Sequence, residues 1–442
     1  MSLNSWLKLL AFASLFFLSP AFSATPGSTL EHFFSAAINF SPELRIAEEN
    51  LNISSSRKKA ANGQLLPQLS AGAALSDNRL NQLNRLQQFD GERYFLSLSQ
   101  TLFNWQQFAA RKQAYLREDQ LEEEYFYQLA YLLTDVANRY FNVLQSEDAL
   151  ESIASEIEAL TNQLNQVQGL YDRQLTQITD LYQTQASLAS TQAEELRLEA
   201  ELALSQESLR SISGLEVGPL YTLGDEAEIS PLEYNQQYYV QQAREQNHRV
   251  LASEYALKAA EEGISERRGA YMPQVSFIAQ RQDSDVGFDN LPINRTDNTY
   301  VGLNVSIPIY SGGSNRARVS EAISARSIAE YELRATQLEA REAVRSAHLQ
   351  VQASEAQTEA AKILIESTAL ASEAMQQGFA LGTVTSVDVL NALRDQYQAE
   401  RELQRVRYEH IRFLLLLKRE AGMLTPEDML EVGSWLEPRT PN

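Results

Sequence analysis

One half of this chain repeats the other at a nearly constant offset. Leu66-Pro67-Gln68-Leu69-Ser70 recurs as Met272-Pro273-Gln274-Val275-Ser276, 206 residues later. Leu102-Phe103 returns as Ile309-Tyr310 after 207, and Tyr171 with Asp180 returns as Phe379 with Asp388 after 208. Three anchors in one slowly drifting register mark an internal duplication, so both copies must adopt the same local fold. Each is predicted to run helix, strand, strand, very long helix, shorter helix. Helical periodicity breaks between Gly214 and Pro231, where Gly218-Pro219 and Gly224 interrupt it. The expected units are a first repeat over 24–214, an inter-repeat connection over 215–232, a second repeat over 233–422 and a C-terminal tail over 423–442.

The strands limit the architecture further. From Gln68 to Ser76, Leu69, Ala71, Ala73 and Leu75 share one face, opposite Gln68, Ser70, Gly72 and Ser76. From Tyr94 to Leu102, Leu96 and Leu98 oppose Ser97, Ser99 and Thr101. Val275, Phe277 and Ala279 oppose Gln274, Ser276 and Gln280, while Val301, Leu303, Val305, Ile307 and Ile309 oppose Gly302, Asn304 and Ser306. Alternation of this kind also suits a soluble sandwich, but a sandwich needs many strands. Here four stand isolated among helices, each about 9–11 residues long, the length of a tilted membrane-spanning strand. Four cannot close a barrel, for which about eight is the practical minimum. Open edges in lipid cost several kcal/mol per unpaired backbone group, so several chains must share the barrel.

The helices are long. From Asn104 to Tyr171 there is no proline and only Gly169, late in the run, which allows roughly 100 Å of helix. Leu150, Ile153, Ile157, Leu160, Leu164, Val167 and Tyr171 follow alternating spacings of 3 and 4, a coiled-coil seam. Ser314–Gln377 is equally free of glycine and proline. Turn-backs are expected near Gln174–Ile178 and Gly382–Ser386.

Met1, Trp6, Lys8 and the apolar run Leu9–Leu18 read as a secretory signal peptide over 1–23, cut after Ser23. No cysteine is present, which rules out both a lipidated thiol and a disulfide framework. No later stretch reaches the roughly 18 uncharged apolar residues of a transmembrane helix. A formal charge of −21 disfavours nucleic acid as a partner. His32, His248, His348 and His410 lie too far apart in sequence for metal-ligand spacing, and no nucleophile and base stand in a recognisable context, so neither enzyme activity nor a cofactor is expected. Asp283, Asp285, Asp289 and Gly287 lack the full calcium-loop pattern and read as a polar hairpin loop outside the cell. Arg57-Lys58-Lys59 and Arg267-Arg268 precede the first and third strands, as lipid-phosphate anchors or as solvated helix ends.

Taken together, these residues resemble the TolC family of outer-membrane factors. Tyr300-Val301-Gly302-Leu303-Asn304-Val305-Ser306-Ile307-Pro308-Ile309-Tyr310-Ser311-Gly312-Gly313 is similar to the family's last strand, which passes through a proline and a Gly-Gly corner into the long helix. Gly378 to Leu390 resembles its inner helical turn, and Leu30–Leu44, with Asn39, Pro42 and Glu43, its opening helix. The likeness spans Leu30 to Leu424. It implies a mainly α protomer with a membrane β-barrel. Three protomers would form a twelve-strand barrel in the outer membrane of a Gram-negative bacterium, above a twelve-helix periplasmic tunnel. The chain would then be an exit duct for protein or small-molecule cargo. Its partners would be two further copies, outer-membrane lipid, a periplasmic adaptor and an inner-membrane ABC or proton-driven transporter. A pore-less periplasmic coiled-coil scaffold or adaptor is the competing reading. It would need the helices but not the lipid-suited strands.

The resemblance also assigns a constriction. Asp388 occupies the first of two acidic positions lining the family's closed tunnel end, and Asn391, one turn on, occupies the second. One carboxylate ring in place of two implies cation selectivity and block by multivalent cations. Relatives often latch the closed state with a Tyr and an Arg that reach a neighbouring Asp. Asp180 matches that acceptor, but Phe379 and Val384 stand where the donors would be and cannot donate. Closure is therefore expected from apolar packing of Phe379, Val384 and Val387. Pro308 ends the strand ladder, and Gly312-Gly313 supplies the corner.

Overall fold

In the computed structural model the described residues are 29–82, 85–224, 227, 229, 232–285 and 295–439; the expected leader, Gly287 and Asp289 lie outside them. The first copy contains α1 (Leu30–Phe40), α2 (Pro42–Gly63), β1 (Gln68–Gln82), β2 (Arg85–Asn104), α3 (Trp105–Asp172) and α4 (Ile178–Ser213). A short strand, β3 (Tyr221–Leu223), follows. The second copy contains α5 (Gln236–Gln246), α6 (His248–Gly269), β4 (Gln274–Ser284), β5 (Thr296–Ser306), α7 (Ser314–Ala380) and α8 (Ser386–Glu420). The tail adds α9 (Pro426–Ser434) and β6 (Leu436–Pro438). None of the described helices is long and apolar enough to cross a membrane.

The expected opening helix over Leu30–Leu44 is in fact two helices. Ser41 is extended, as a residue before proline tends to be, and Pro42 sits at the first position of α2, where its missing N–H leaves no bond unmade. Asn247, 206 residues after Ser41, does the same work between α5 and α6. Its side-chain oxygen accepts from the Arg249 and Val250 amides at 2.9 and 3.3 Å.

The two hairpins join through β2 and β4 into one antiparallel sheet of order β1-β2-β4-β5. Register aligns the apolar faces: Leu69 pairs with Leu98, Leu98 with Ala279, and Ala279 with Val301. Ser70, Ser97, Gln280 and Tyr300 form the matching row on the opposite face. Leu69, Val301 and Leu303 are 69%, 63% and 62% exposed, so one protomer gives this apolar surface nothing to pack against. The far edges of β1 and β5 are unpaired among the described residues. Strand length corrects the expectation of about 9–11 residues: β1 has 15 and β2 has 20. Beyond Ser76 the alternation gives way to polar residues, but backbone pairing continues through Asp77 opposite Asp90. A ladder of backbone hydrogen bonds does not depend on the side-chain pattern that revealed its apolar part.

β2 runs into α3 without a loop, and Asn104 caps the helix by accepting from the Gln107 amide at 3.3 Å. The second copy turns the same corner differently. β5 stops at Ser306, two residues before Pro308, and Gly312 and Gly313 take left-handed φ of 64° and 84° just before α7. A side chain would cost roughly 1–2 kcal/mol at each of these glycines. Below the sheet, α2, α3, α6 and α7 stand side by side in that order. Farther down, α4, α3, α8 and α7 do so. At the equator Phe33, Tyr140, Phe141, Leu209, Tyr408 and Ile411 form the main buried core.

Candidate functional site

The two turn-backs lie at the end of the wall farthest from the sheet. α3 ends at Asp172 and α4 begins at Ile178; α7 ends at Ala380 and α8 begins at Ser386. Thr385 caps α8 in a reciprocal box: its amide and hydroxyl donate to Asp388 Oδ2 at 2.9 and 2.6 Å, and its hydroxyl accepts from the Asp388 amide at 3.3 Å. These bonds hold the Asp388 carboxyl below the usual carboxylate range, so it is charged at neutral pH. Asp388 and Asn391 are both exposed, one turn apart on α8.

Phe379 and Val384 pack instead into an apolar cluster built on buried Leu160 of α3 and Val389, Leu390 and Leu393 of α8. Val387 is half-buried and is not among the residues of that cluster, unlike the expected partners Phe379 and Val384. Asp180, the expected latch acceptor, is met within its own turn by the Thr176 hydroxyl, 2.5 Å away. The hydroxyls of Thr184 on α4 and Ser386 on α8 lie 3.3 Å apart and link the two hairpins. That contact has no signal in the sequence, because two small hydroxyl residues 202 positions apart mark nothing until the turns are superposed. The seam of α3 also differs from its apolar pattern. Ile153, Leu160 and Val167 are buried, but Glu156 and Gln163 take the intervening buried places, with Ile157 and Leu164 only half-buried. Arg401 of α8 meets Glu156 at 2.9 Å, which makes the buried carboxylate tolerable.

At the equator the tail and the inter-repeat connection form one unit. β6 pairs antiparallel with β3, matching Tyr221 to Pro438 and Leu223 to Leu436. Arg439 then reaches Glu147, Asp148 and Glu151 on α3 at 3.0, 2.7 and 3.1 Å. Burial raises the carboxyls of Glu147 and Asp148, and Arg439 pulls both back. Sequence reading missed this brace, since one arginine in a polar tail has no periodicity to betray it. Among the described residues no His/Cys/Asp/Glu group could hold a metal ion, and Asp283 of the expected hairpin loop is instead paired with Arg295 at 2.7 Å.

A sheet with an apolar outer face and free edges, continuous with a wall of helices up to 68 residues long, defines a subunit of a membrane channel with a helical extension. The chain belongs to the outer membrane efflux protein family, whose model matches residues 34–215 and again 239–419. It is similar to the outer membrane protein TolC of Vibrio cholerae, at 28% identity over 94% of this chain and 95% of that protein. It is also similar to the alkaline protease secretion protein AprF of Pseudomonas aeruginosa, at 25% identity over 78% and 73%. In fold it matches the crystal structure of the outer membrane protein VceC from Vibrio cholerae, with a TM-score of 0.77 at 18% identity over 89% and 96% of the two chains. The protein is thus an outer-membrane exit duct, not an enzyme.

Proposed function

We propose that three copies of this chain close a twelve-strand barrel over a twelve-helix tunnel. The unpaired edges of β1 and β5 carry this reading. Four strands are about half the practical minimum for closure, and free ladder edges in lipid are costly. Three chains seal every edge, turn Leu69, Leu98, Ala279 and Val301 to lipid, and turn the serine and glutamine face to a wet lumen. Light scattering of the detergent-solubilised protein should give three times the protomer mass; a monomer that never sediments with outer membranes would sink the reading.

The assembled duct works passively. An inner-membrane ABC or proton-driven transporter, coupled through a periplasmic adaptor, supplies the energy. Similarity to AprF favours protein cargo delivered by an ATP-driven type I system, with small-molecule efflux as the second use. Asp388, Asn391, Phe379, Val384, Val387 and Asp180 form the closed end. Three Asp388 carboxylates converging on one axis attract cations and raise one another's pKa, against the lowering effect of each Thr385 cap. In planar bilayers Asp388→Ala should cut potassium-over-chloride selectivity severalfold and abolish block by trivalent cations. Unchanged currents would remove Asp388 from the constriction.

A further inference from the structure

Each of the four wall helices beneath the sheet contributes one arginine to a single groove: Arg57 from α2, Arg117 from α3, Arg267 from α6 and Arg318 from α7. The groove holds about 630 Å³ and is floored mainly by small residues. α2 and α7 are the outer members of the row α2-α3-α6-α7, so a groove lined by all four lies on the concave side of the curved wall. In a closed trimer the concave side is the lumen. The wall thus turns guanidinium groups inward just below the barrel, in a chain whose formal charge is −21.

Within one protomer these arginines are almost without partners among the described residues. Arg57, Arg117 and Arg318 make no ion pair or hydrogen bond among the described residues, and Arg267 has only a 3.6 Å contact with its neighbour Glu266. Two carboxylates, Glu266 and Glu321, share the groove, so it keeps an excess of two positive charges. The two basic runs seen in the sequence are divided by this geometry. Lys58 turns aside to pair with Glu118 of α3, while Arg57 and Arg267 face the groove and not lipid. Helical rotation of about 100° per residue sends adjacent side chains to different surfaces.

We propose that this groove is a binding site for multivalent oxyanions in the lumen, so that a trimer carries a basic collar of twelve arginines and six glutamates near its barrel. The inference rests on the trimeric-duct reading. Guanidinium groups spread along one groove suit the phosphoryl or carboxylate groups of an extended soluble polyanion, which they bind by paired, charge-assisted hydrogen bonds. Lipid headgroups are excluded as occupants because they lie on the convex side. Such a collar, in series with the acidic constriction at Asp388, holds anionic solute at the barrel end while the far end favours cations.

The test uses the full trimer in planar bilayers at 0.1 M KCl, with inorganic tripolyphosphate as the probe. Added on the barrel side, it should block the current, and the block should weaken as salt is raised and charges are screened. Arg117→Gln with Arg318→Gln should raise the half-blocking concentration about tenfold or more, since half of the groove's arginine charge is removed. The charge-keeping pair Arg117→Lys with Arg318→Lys should retain most of the block. Wild-type currents indifferent to millimolar tripolyphosphate would overturn the site. So would equal block in the glutamine variant, or lysine trimers that lose block as completely as glutamine trimers. Absence of any wild-type current would strike instead at the duct reading itself.

Discussion

Replacing Tyr140 by alanine is expected to cost about 4 kcal/mol of stability, and replacing it by phenylalanine about 2 kcal/mol. Tyr140 is fully buried where α3 passes the equator. Its ring stands edge-on to Phe33 of α1, centroids 5.9 Å apart, and to Phe141 at 6.0 Å. Its hydroxyl donates to the Tyr221 carbonyl at 2.9 Å and accepts from the Tyr221 amide at 3.1 Å. One side chain thereby satisfies both backbone groups of the first residue of β3, the strand that receives the tail. Burial pushes the phenol far above its ordinary pKa, so it stays protonated throughout the physiological range. The alanine variant opens an aromatic-sized cavity as well as stranding two part-buried backbone groups; the phenylalanine variant does only the second. Unfolding curves in detergent separate the two, and limited proteolysis should show the tail freed in both. A phenylalanine variant as stable as wild type would show that the hydroxyl bridge holds nothing.

The second large effect concerns closure. Leu160→Ala or Leu393→Ala should remove about 3 kcal/mol of packing from the cluster at the far end, because each side chain is nearly fully buried there. If that cluster holds the hairpins shut, the closed-to-open ratio falls roughly 100-fold, read as a large rise in resting current. Apolar contact is not screened by salt, so wild-type resting conductance should vary little with ionic strength beyond what bulk conductivity dictates. A variant that melts earlier but conducts like wild type would confine the cluster to folding. A closed state that opens steeply with salt would point to a polar latch after all.

Much of this design is legible in the amino-acid order because it is periodic. Alternation in Leu69–Leu75 and Val301–Val305 follows the two-residue repeat of a strand, and the glycine-free run after Asn104 permits only long helix. Phe379 and Val384, which cannot donate hydrogen bonds, already pointed to apolar contact, and both pack into the far-end cluster. Other features are invisible to periodicity. The ladder past Ser76 is carried by backbone pairing, and Glu156 is buried because an arginine from α8, 245 residues on, meets it.

The sequence alone determined the duplication, the alternation of lipid-suited strands with long helices, and the need for more than one chain, since repeat spacing and face periodicity are properties of local order. The tertiary structure alone decided which distant groups meet. It joined β6 to β3, gave Arg439 its three carboxylates, and gathered four arginines from four helices into one groove. Such meetings depend on how helices rotate and cross after they form, and no single stretch of chain encodes that.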